Sequence, residues 1–304
     1  VWISGFFGSG KSHFLKILSY LLSNQEVCGK RAIDYFADKF DDPMMYAQAV
    51  KSVSVPTQSI LFNIDIEGPL TKDKTAVLRV FAKMFYNHCG FYGDDLKIAK
   101  LERFIEKQGK TQQFREAFEK VNGAPWTETR DSFAFFEDDI VSVLQSTLGM
   151  SEQAARNWFN GEETNELSIA QLVADIQEYV DGKGKDFRLL FMVDEVGQYI
   201  GDDGDLMINL QSLVEEIGIR CHGKVWVMVT SQEAIDSVVH ITGNDFSKIQ
   251  GRFNTRLSLS SSSVDEVIKK RVLAKTDAAD QLLRMVYDKE HAVLKNLYTF
   301  DNPV

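Results

Sequence analysis

Hydrophobic positions along the chain follow three rhythms, and each predicts a different element. The first residues, Val-Trp-Ile-Ser, form a short apolar run that reads as the end of a buried strand, and a glycine-rich turn follows over 5–10. Over 12–22, Phe14, Leu15, Ile17, Leu18, Leu21 and Leu22 recur at helical spacing. The opening therefore predicts strand, loop, helix. Residues 59–66 (SILFNIDI) alternate and are rich in Ile, which predicts a second strand closed by Gly68-Pro69.

A long stretch of 3.6-residue periodicity follows. It predicts helices over 75–91, 96–108, 112–121, 133–148, 151–159 and 168–180, with loops at 123–125 and 161–165. Ser168 and Gln171 have capping-box spacing at the last start. The aromatic residues Phe85, Phe104, Phe114, Phe118, Phe133, Phe136 and Trp158 fall on these helices and are expected in a core rather than at a ligand.

The rhythm then changes again. Residues 187–193 (FRLLFMV) are continuously apolar, the mark of a strand covered on both faces. Residues 205–219 are helical in pattern, 225–229 (VWVMV) form another buried strand, and 256–260 (RLSLS) a short last one. Thr230-x-x-Glu233 and Ser263-x-x-Glu266 have the spacing of helix starts, the second for a helix over 264–274. Strands alternating with helices imply an α/β fold with a parallel sheet and helices on both faces. Such sheets bind ligands beyond the carboxyl ends of their strands. The expected division is a core of 1–69 and 186–275, an all-helical insert of 70–185 between the second and third strands, and the start of a C-terminal helical lid at 276–304.

Composition narrows the classes. Of 304 residues, 44% are hydrophobic and 26% charged, which excludes a disordered or collagen-like chain. No apolar run reaches the roughly 18 residues needed to span a bilayer. Basic residues number 34 and acidic residues 44, for a net charge of −10, so a whole-surface grip on nucleic acid is not expected. One stretch departs from this. Arg252, Arg256, Lys269, Lys270, Arg271 and Lys275 face only Asp265 and Glu266 over 252–275, as either a solvated helix face or a contact for phosphate or an acidic partner. The three cysteines, Cys28, Cys89 and Cys221, are odd in number and far apart, which is cytoplasmic thiol usage. His88-Cys89 and Cys221-His222 match no zinc spacing. The chain also begins without methionine, inside a predicted strand, as a piece of a longer protein would.

The chemistry-bearing motifs sit just after strands. Gly5-Phe-Phe-Gly-Ser-Gly-Lys11-Ser12 is G-x-x-x-x-G-K-[ST], the phosphate-binding P-loop (Walker A). Its glycines let the backbone turn N–H groups inward around a phosphate, and the following helix adds its positive end. The expected nucleotide contacts are Gly5, Phe7, Gly8, Ser9, Gly10, Lys11, Ser12 and His13. Lys11 would reach the β- and γ-phosphates of ATP, and Ser12 would ligate Mg²⁺. The strand at 187–193 ends in Asp194-Glu195, a Walker B pattern. Asp194 would hold Mg²⁺ opposite Ser12, and Glu195 would orient and deprotonate the attacking water. That pair favours hydrolysis over transfer to a metabolite.

Thr230, Ser231 and Gln232 follow the next strand, expected between the two motif strands. Thr230 or Ser231 would sense the γ-phosphate or the water, or Thr230 would only cap a helix. Arg252 is the first candidate for an arginine finger acting on a neighbouring subunit's nucleotide, and Arg256 the second. A surface salt bridge explains either equally well.

Together, GFFGSGKS at 5–12, LLFMVDE at 189–195, the polar tip at 230–232 and GRF at 251–253 resemble the AAA+ branch of P-loop NTPases. The phrases GFFGSGKSHFLK and VDEVGQYIG more closely resemble the large P-loop ATPase of bacteriophage-exclusion (BREX) systems, the BrxC/PglY family. The resemblance implies an AAA+-like ATP hydrolase, a homo-oligomer, and a role in antiviral defence beside other BREX proteins, including a DNA methyltransferase. DNA contact would then come through the full-length protein or complex. Members of that family are much longer than this chain. A sensor arginine of the lid is not assigned, and Arg284 is its candidate. Three functions compete: an ATPase that assembles or remodels a defence complex, a nucleotide-gated scaffold with little hydrolysis, and a P-loop kinase.

Overall fold

The computed structural model describes residues 1–69, 71–160, 167–232, 253–259 and 272–297. The chain divides into two compact units, Val1–Leu259 and Ser260–Val304.

In the first unit, β1 (Trp2–Ser4) leads through the glycine loop into α1 (Lys11–Ser23). A small antiparallel hairpin, β2 (Glu26–Val27) and β3 (Lys30–Arg31), then a 3-10 segment (Ala32–Lys39) and α2 (Pro43–Val53) precede β4 (Thr57–Asn63). The sequence patterns had no reading for 24–56. The α2 start is encoded locally: Asp42 accepts a hydrogen bond from Met44 N–H, and Pro43 stands at the first position.

The predicted second strand is shorter than the alternation suggested. It stops at Asn63, whose side-chain Oδ1 accepts from the N–H groups of Asp65 and Ile66 and so opens α3 (Ile64–Glu67). A polar cap overrides the alternating Ile residues there. The helices α4 (Ala76–His88), α5 (Leu96–Lys107), α6 (Thr111–Asn122), α7 (Trp126–Thr129), α8 (Glu137–Leu148), α9 (Glu152–Asn160) and α10 (Ile169–Gly182) follow. The helix read from residue 133 begins at Glu137, because Arg130–Phe135 is a 3-10 segment interrupted at Ser132. The Ser168 side chain accepts from Gln171 N–H at the start of α10.

Then come β5 (Arg188–Asp194), α11 (Val196–Ile200), α12 (Gly204–Arg220), β6 (Val225–Ser231) and β7 (Arg256–Ser258). The main sheet has the order β4-β5-β6-β1-β7, and every pairing in it is parallel. Its strands end level: Asn63 lies opposite Asp194, and Ser4 opposite Ser231 and Ser258.

β5 shows why the apolar run was continuous. Leu189, Phe191 and Val193 face the larger core with α4, α10 and α12, while Leu190 and Met192 face Ile3, Met228 and Leu15 on the opposite side. The insert is not a separate layer at its ends. Phe81 of α4 packs on Phe62 and Phe191 of the sheet, with ring centroids 5.6 and 5.2 Å apart. Between α4 and α10, a second core gathers Ile98, Leu101, Phe114, Phe118, Trp126, Ile140 and Leu144. Phe85, Phe114 and Phe118 are buried, Phe133, Phe136 and Trp158 pack against the second core, and partly exposed Phe104 stacks on Trp158.

In the second unit, α13 (Asp277–Leu297) is one continuous helix. Arg284 lies exposed on it, with Nε 2.7 Å from Asp280 Oδ2. Most of the helix expected over 264–274 falls outside the described residues. No helix among the described residues is long and apolar enough to cross a membrane.

Candidate functional site

The glycine loop begins where β1 stops. Gly5 N–H donates to Ser231 O at 3.2 Å, tying the loop to the end of β6. A Cβ on Gly5 would stand 2.6 Å from Leu259 O and 2.5 Å from Ser9 Oγ, so no side chain fits there. Gly8 and Gly10 have φ of +83° and +86°, a region costly for other residues. Gly10 also caps α1, whose first N–H groups have no helical partner and belong to the loop. Ser9 Oγ is buried and unpartnered among the described residues. Ser12 and His13 lie exposed on the first turn, and Phe7 projects outward at 84% exposure.

Lys11 folds back over this loop. It is 8% exposed, and its Nζ donates to Gly5 O at 2.6 Å and Phe6 O at 3.1 Å. Burial pulls its pKa below the usual lysine value, opposed by the charges of Asp194 and Glu195. The two acidic side chains are therefore within electrostatic reach of the loop lysine.

Asp194 closes β5, and Glu195 turns the chain out of the sheet. Its φ and ψ of 63° and 26° are left-handed, an uncommon region for glutamate, and it caps α11. Thr230, fully buried at the end of β6, bridges the pair: its hydroxyl donates to Asp194 Oδ1 and accepts from Glu195 N–H, the latter at 2.9 Å. Asn63 approaches from β4. Its Nδ2 donates to Glu195 Oε2 at 2.6 Å, and since its Oδ1 caps α3, the amide cannot be turned the other way. Gly197 of α11 lies against Ser231, where a Cβ would come within 1.9 Å of Ser231 Oγ.

The glycine loop with Lys11, Asp194, Glu195 and Thr230 thus meet at the carboxyl edge, at the ends of β1, β5 and β6, with β6 between the other two. The Thr230 hydroxyl is engaged by the acidic pair, and the helix that Thr230-x-x-Glu233 would open lies outside the described residues. Gln232 is exposed. Asn63 was missed by sequence reasoning. The available signal was an Asn at a strand end followed by a short Asp/Glu-bearing turn, the pattern of a cap.

Arg252, Lys269, Lys270 and Arg271 also lie outside the described residues. Phe253 is buried, edge-on to Trp2 with centroids 5.4 Å apart. Arg256 starts β7 opposite Trp2, and its Nε donates to Phe253 O at 3.4 Å.

The loop fits a polyphosphate: two left-handed glycines, one glycine with no room for Cβ, and a helix N-terminus meet beside a lysine. Among the described residues no three His, Cys, Asp or Glu side chains gather as a metal cage. Mg²⁺ held by one carboxylate, a hydroxyl and nucleotide phosphates needs no such cage.

Two sizeable cavities are lined by residues other than these. One of about 550 Å³ is lined by α3, α4, the start of α5 and the α4–α5 connection, including Glu67, Arg79, Lys83 and Asp94. The other, about 560 Å³, lies at the opposite end of β4 beside Gln58, His88, Arg103, Asp175 and Tyr179. No protein-family model matches the chain, and no solved structure matches it significantly.

Proposed function

We propose that the chain carries the catalytic centre of a Mg²⁺-dependent, AAA+-like P-loop ATPase. One observation carries this reading: the glycine loop with Lys11, the acidic pair Asp194-Glu195 and the bridging Thr230 occupy neighbouring strand ends of one parallel sheet, where such sheets take their ligands.

Each residue then has a task. The N–H groups of the loop and of the α1 start hold the β- and γ-phosphates, and Lys11 exchanges its bonds to Gly5 O and Phe6 O for phosphate oxygens. Ser12 and Asp194 would hold Mg²⁺, which when bound would supply positive charge to the phosphates. Glu195 Oε1 takes a proton from the attacking water, while Oε2 stays on the Asn63 amide. Thr230 fixes the spacing of Asp194 and Glu195, and its place at the tip of β6 suits it to report on the γ-phosphate. Arg252 would act on a neighbouring subunit's nucleotide.

The cellular setting follows from the resemblance of GFFGSGKSHFLK and VDEVGQYIG alone. It is a cytoplasmic BREX complex containing a DNA methyltransferase, in which ATP turnover drives assembly or remodelling. ATP turnover measured against protein concentration tests the reading, with Lys11→Ala as control. Rising specific activity supports sites completed between subunits. Activity equal in the Lys11→Ala protein overturns the assignment.

A further inference from the structure

The cavity at the amino end of β4 draws its lining from four elements: Gln58 of β4, Phe85 and His88 of α4, Arg103 and Glu106 of α5, and Tyr179 of α10. Its volume is about 560 Å³, within the roughly 300–1,000 Å³ of small-molecule sites. Its apolar wall is aromatic. Phe85 is 1% exposed and stands edge-on to the Tyr179 ring, with centroids 5.7 Å apart, and Phe91 adds a third ring.

Most polar groups of the cavity satisfy one another. Arg103 holds Asp175 and Glu178, and Lys107 holds Glu178 at 2.7 Å. Gln58 Oε1 takes the Tyr179 hydroxyl and the His88 ring. Two charges are left over. Lys183, the residue that ends α10, lies with Nζ 4.9 Å from the Tyr179 ring centroid, and Glu106 lines the α5 side. Among the described residues neither has an ion pair. Both act on one atom. The Cys89 thiol, which also lines the cavity, is pushed up to about 12 by burial and by the Glu106 charge, against the charges of Arg103 and Lys183. The unmatched anion and the unmatched cation therefore address the same space.

A charge brought out of water needs a partner. An anionic ligand would answer Lys183 and meet Glu106 as a like charge, and a cationic ligand would do the reverse. A zwitterion answers both, and an apolar body covers the rings. We infer that this cavity is a binding site for a small zwitterion with an apolar body, the chemistry of a free aromatic amino acid. Lys183 takes its carboxylate and Glu106 its ammonium, while Phe85, Phe91 and Tyr179 pack its side chain. The phosphate edge uses none of these residues, so the inference stands apart from the ATPase reading.

The test is calorimetric titration of the full chain with L-phenylalanine, beside 3-phenylpropionate, which lacks the ammonium, and 2-phenylethylamine, which lacks the carboxylate. L-phenylalanine is expected to bind saturably and at least about tenfold more tightly than either analogue. Lys183→Met keeps the aliphatic stem and removes the charge. It should weaken L-phenylalanine about tenfold and bind 2-phenylethylamine no more weakly than wild type. Glu106→Gln should weaken L-phenylalanine by a similar factor and bind 3-phenylpropionate no more weakly. Both side chains are exposed and outside any described ion pair, so neither change threatens the fold. No saturable binding of L-phenylalanine overturns the inference. So does equal affinity for the three probes, or wild-type affinity for L-phenylalanine in either variant. None of these outcomes depends on ATP turnover.

Discussion

β4 carries a polar amide near each end, and the two ends behave differently. At the carboxyl end, Asn63 donates to Glu195, Thr230 bridges Asp194 and Glu195, and the nearby cation, Lys11, gives its protons to loop carbonyls rather than to the acids. At the amino end, the His88 ring and the Tyr179 hydroxyl meet at Gln58 Oε1, at 3.0 and 2.8 Å. Beside them Arg103 pairs with Asp175 at 2.5 Å and with Glu178, while Tyr86 donates to Asp175 at 2.7 Å. The amino-end acids are matched by cations and hold α4, α5 and α10 together. The carboxyl-end acids are held by neutral donors, which fix their orientation and leave their charge for a ligand. A cavity of about 560 Å³ lies at the amino end, so cavity size alone does not mark the chemistry.

The comparison breaks most visibly if both ends respond alike to losing a cation. Lys11→Ala is expected to reduce ATP turnover at least about 100-fold with little change in thermal midpoint. Arg103→Ala leaves Asp175 buried without its cation and is expected to cost about 3 kcal/mol of stability in urea unfolding. Turnover of the folded protein should stay within about twofold. Equal losses of turnover in the two variants would refute the division of labour.

Gly197→Ala sharpens the account at the carboxyl end. Its Cβ would collide with Ser231 Oγ, so α11 and the end of β6 must part. A stability loss of about 1–3 kcal/mol is expected, with a fall in kcat that Arg103→Ala does not show. Wild-type kcat in Gly197→Ala would mean that the seat of α11 does not set Glu195.

The smallest effect is a pH dependence at the amino end. Burial, aided by Lys183, lowers the His88 pKa below its usual 6.5. A depressed folded pKa means that the unfolded chain binds the proton more readily. The contribution is complete above about pH 6.5 and is lost as pH falls towards the folded pKa. The urea midpoint of the wild-type protein should therefore fall more steeply below pH 6.5 than that of His88→Gln. Parallel profiles would remove His88 from this network.

The parts legible in the sequence are those with strong local patterns. β5 is read because burial on both faces demands unbroken apolar residues, and the insert helices because each shows one apolar face. The glycine loop and the Asp194-Glu195 pair are read because each is made of consecutive residues. Asn63 was hidden because its partner is 132 residues away, and because Ile64 and Ile66 prolong the alternation past the real strand end. The hairpin and α2 were hidden because the short strands are exposed and the start of α2 depends on a cap at Asp42. That α4 and α10 belong to the sheet's core was also hidden, since a helical period shows that a face is buried but not against what.

The most direct test of the central claim is Glu195→Gln, measured for ATP binding and ATP turnover in the same preparation. The account predicts ATP affinity within about threefold of wild type and turnover reduced on the order of 100-fold or more, because the substituted amide accepts no proton while the loop and Lys11 remain intact. Turnover at the wild-type rate would contradict it.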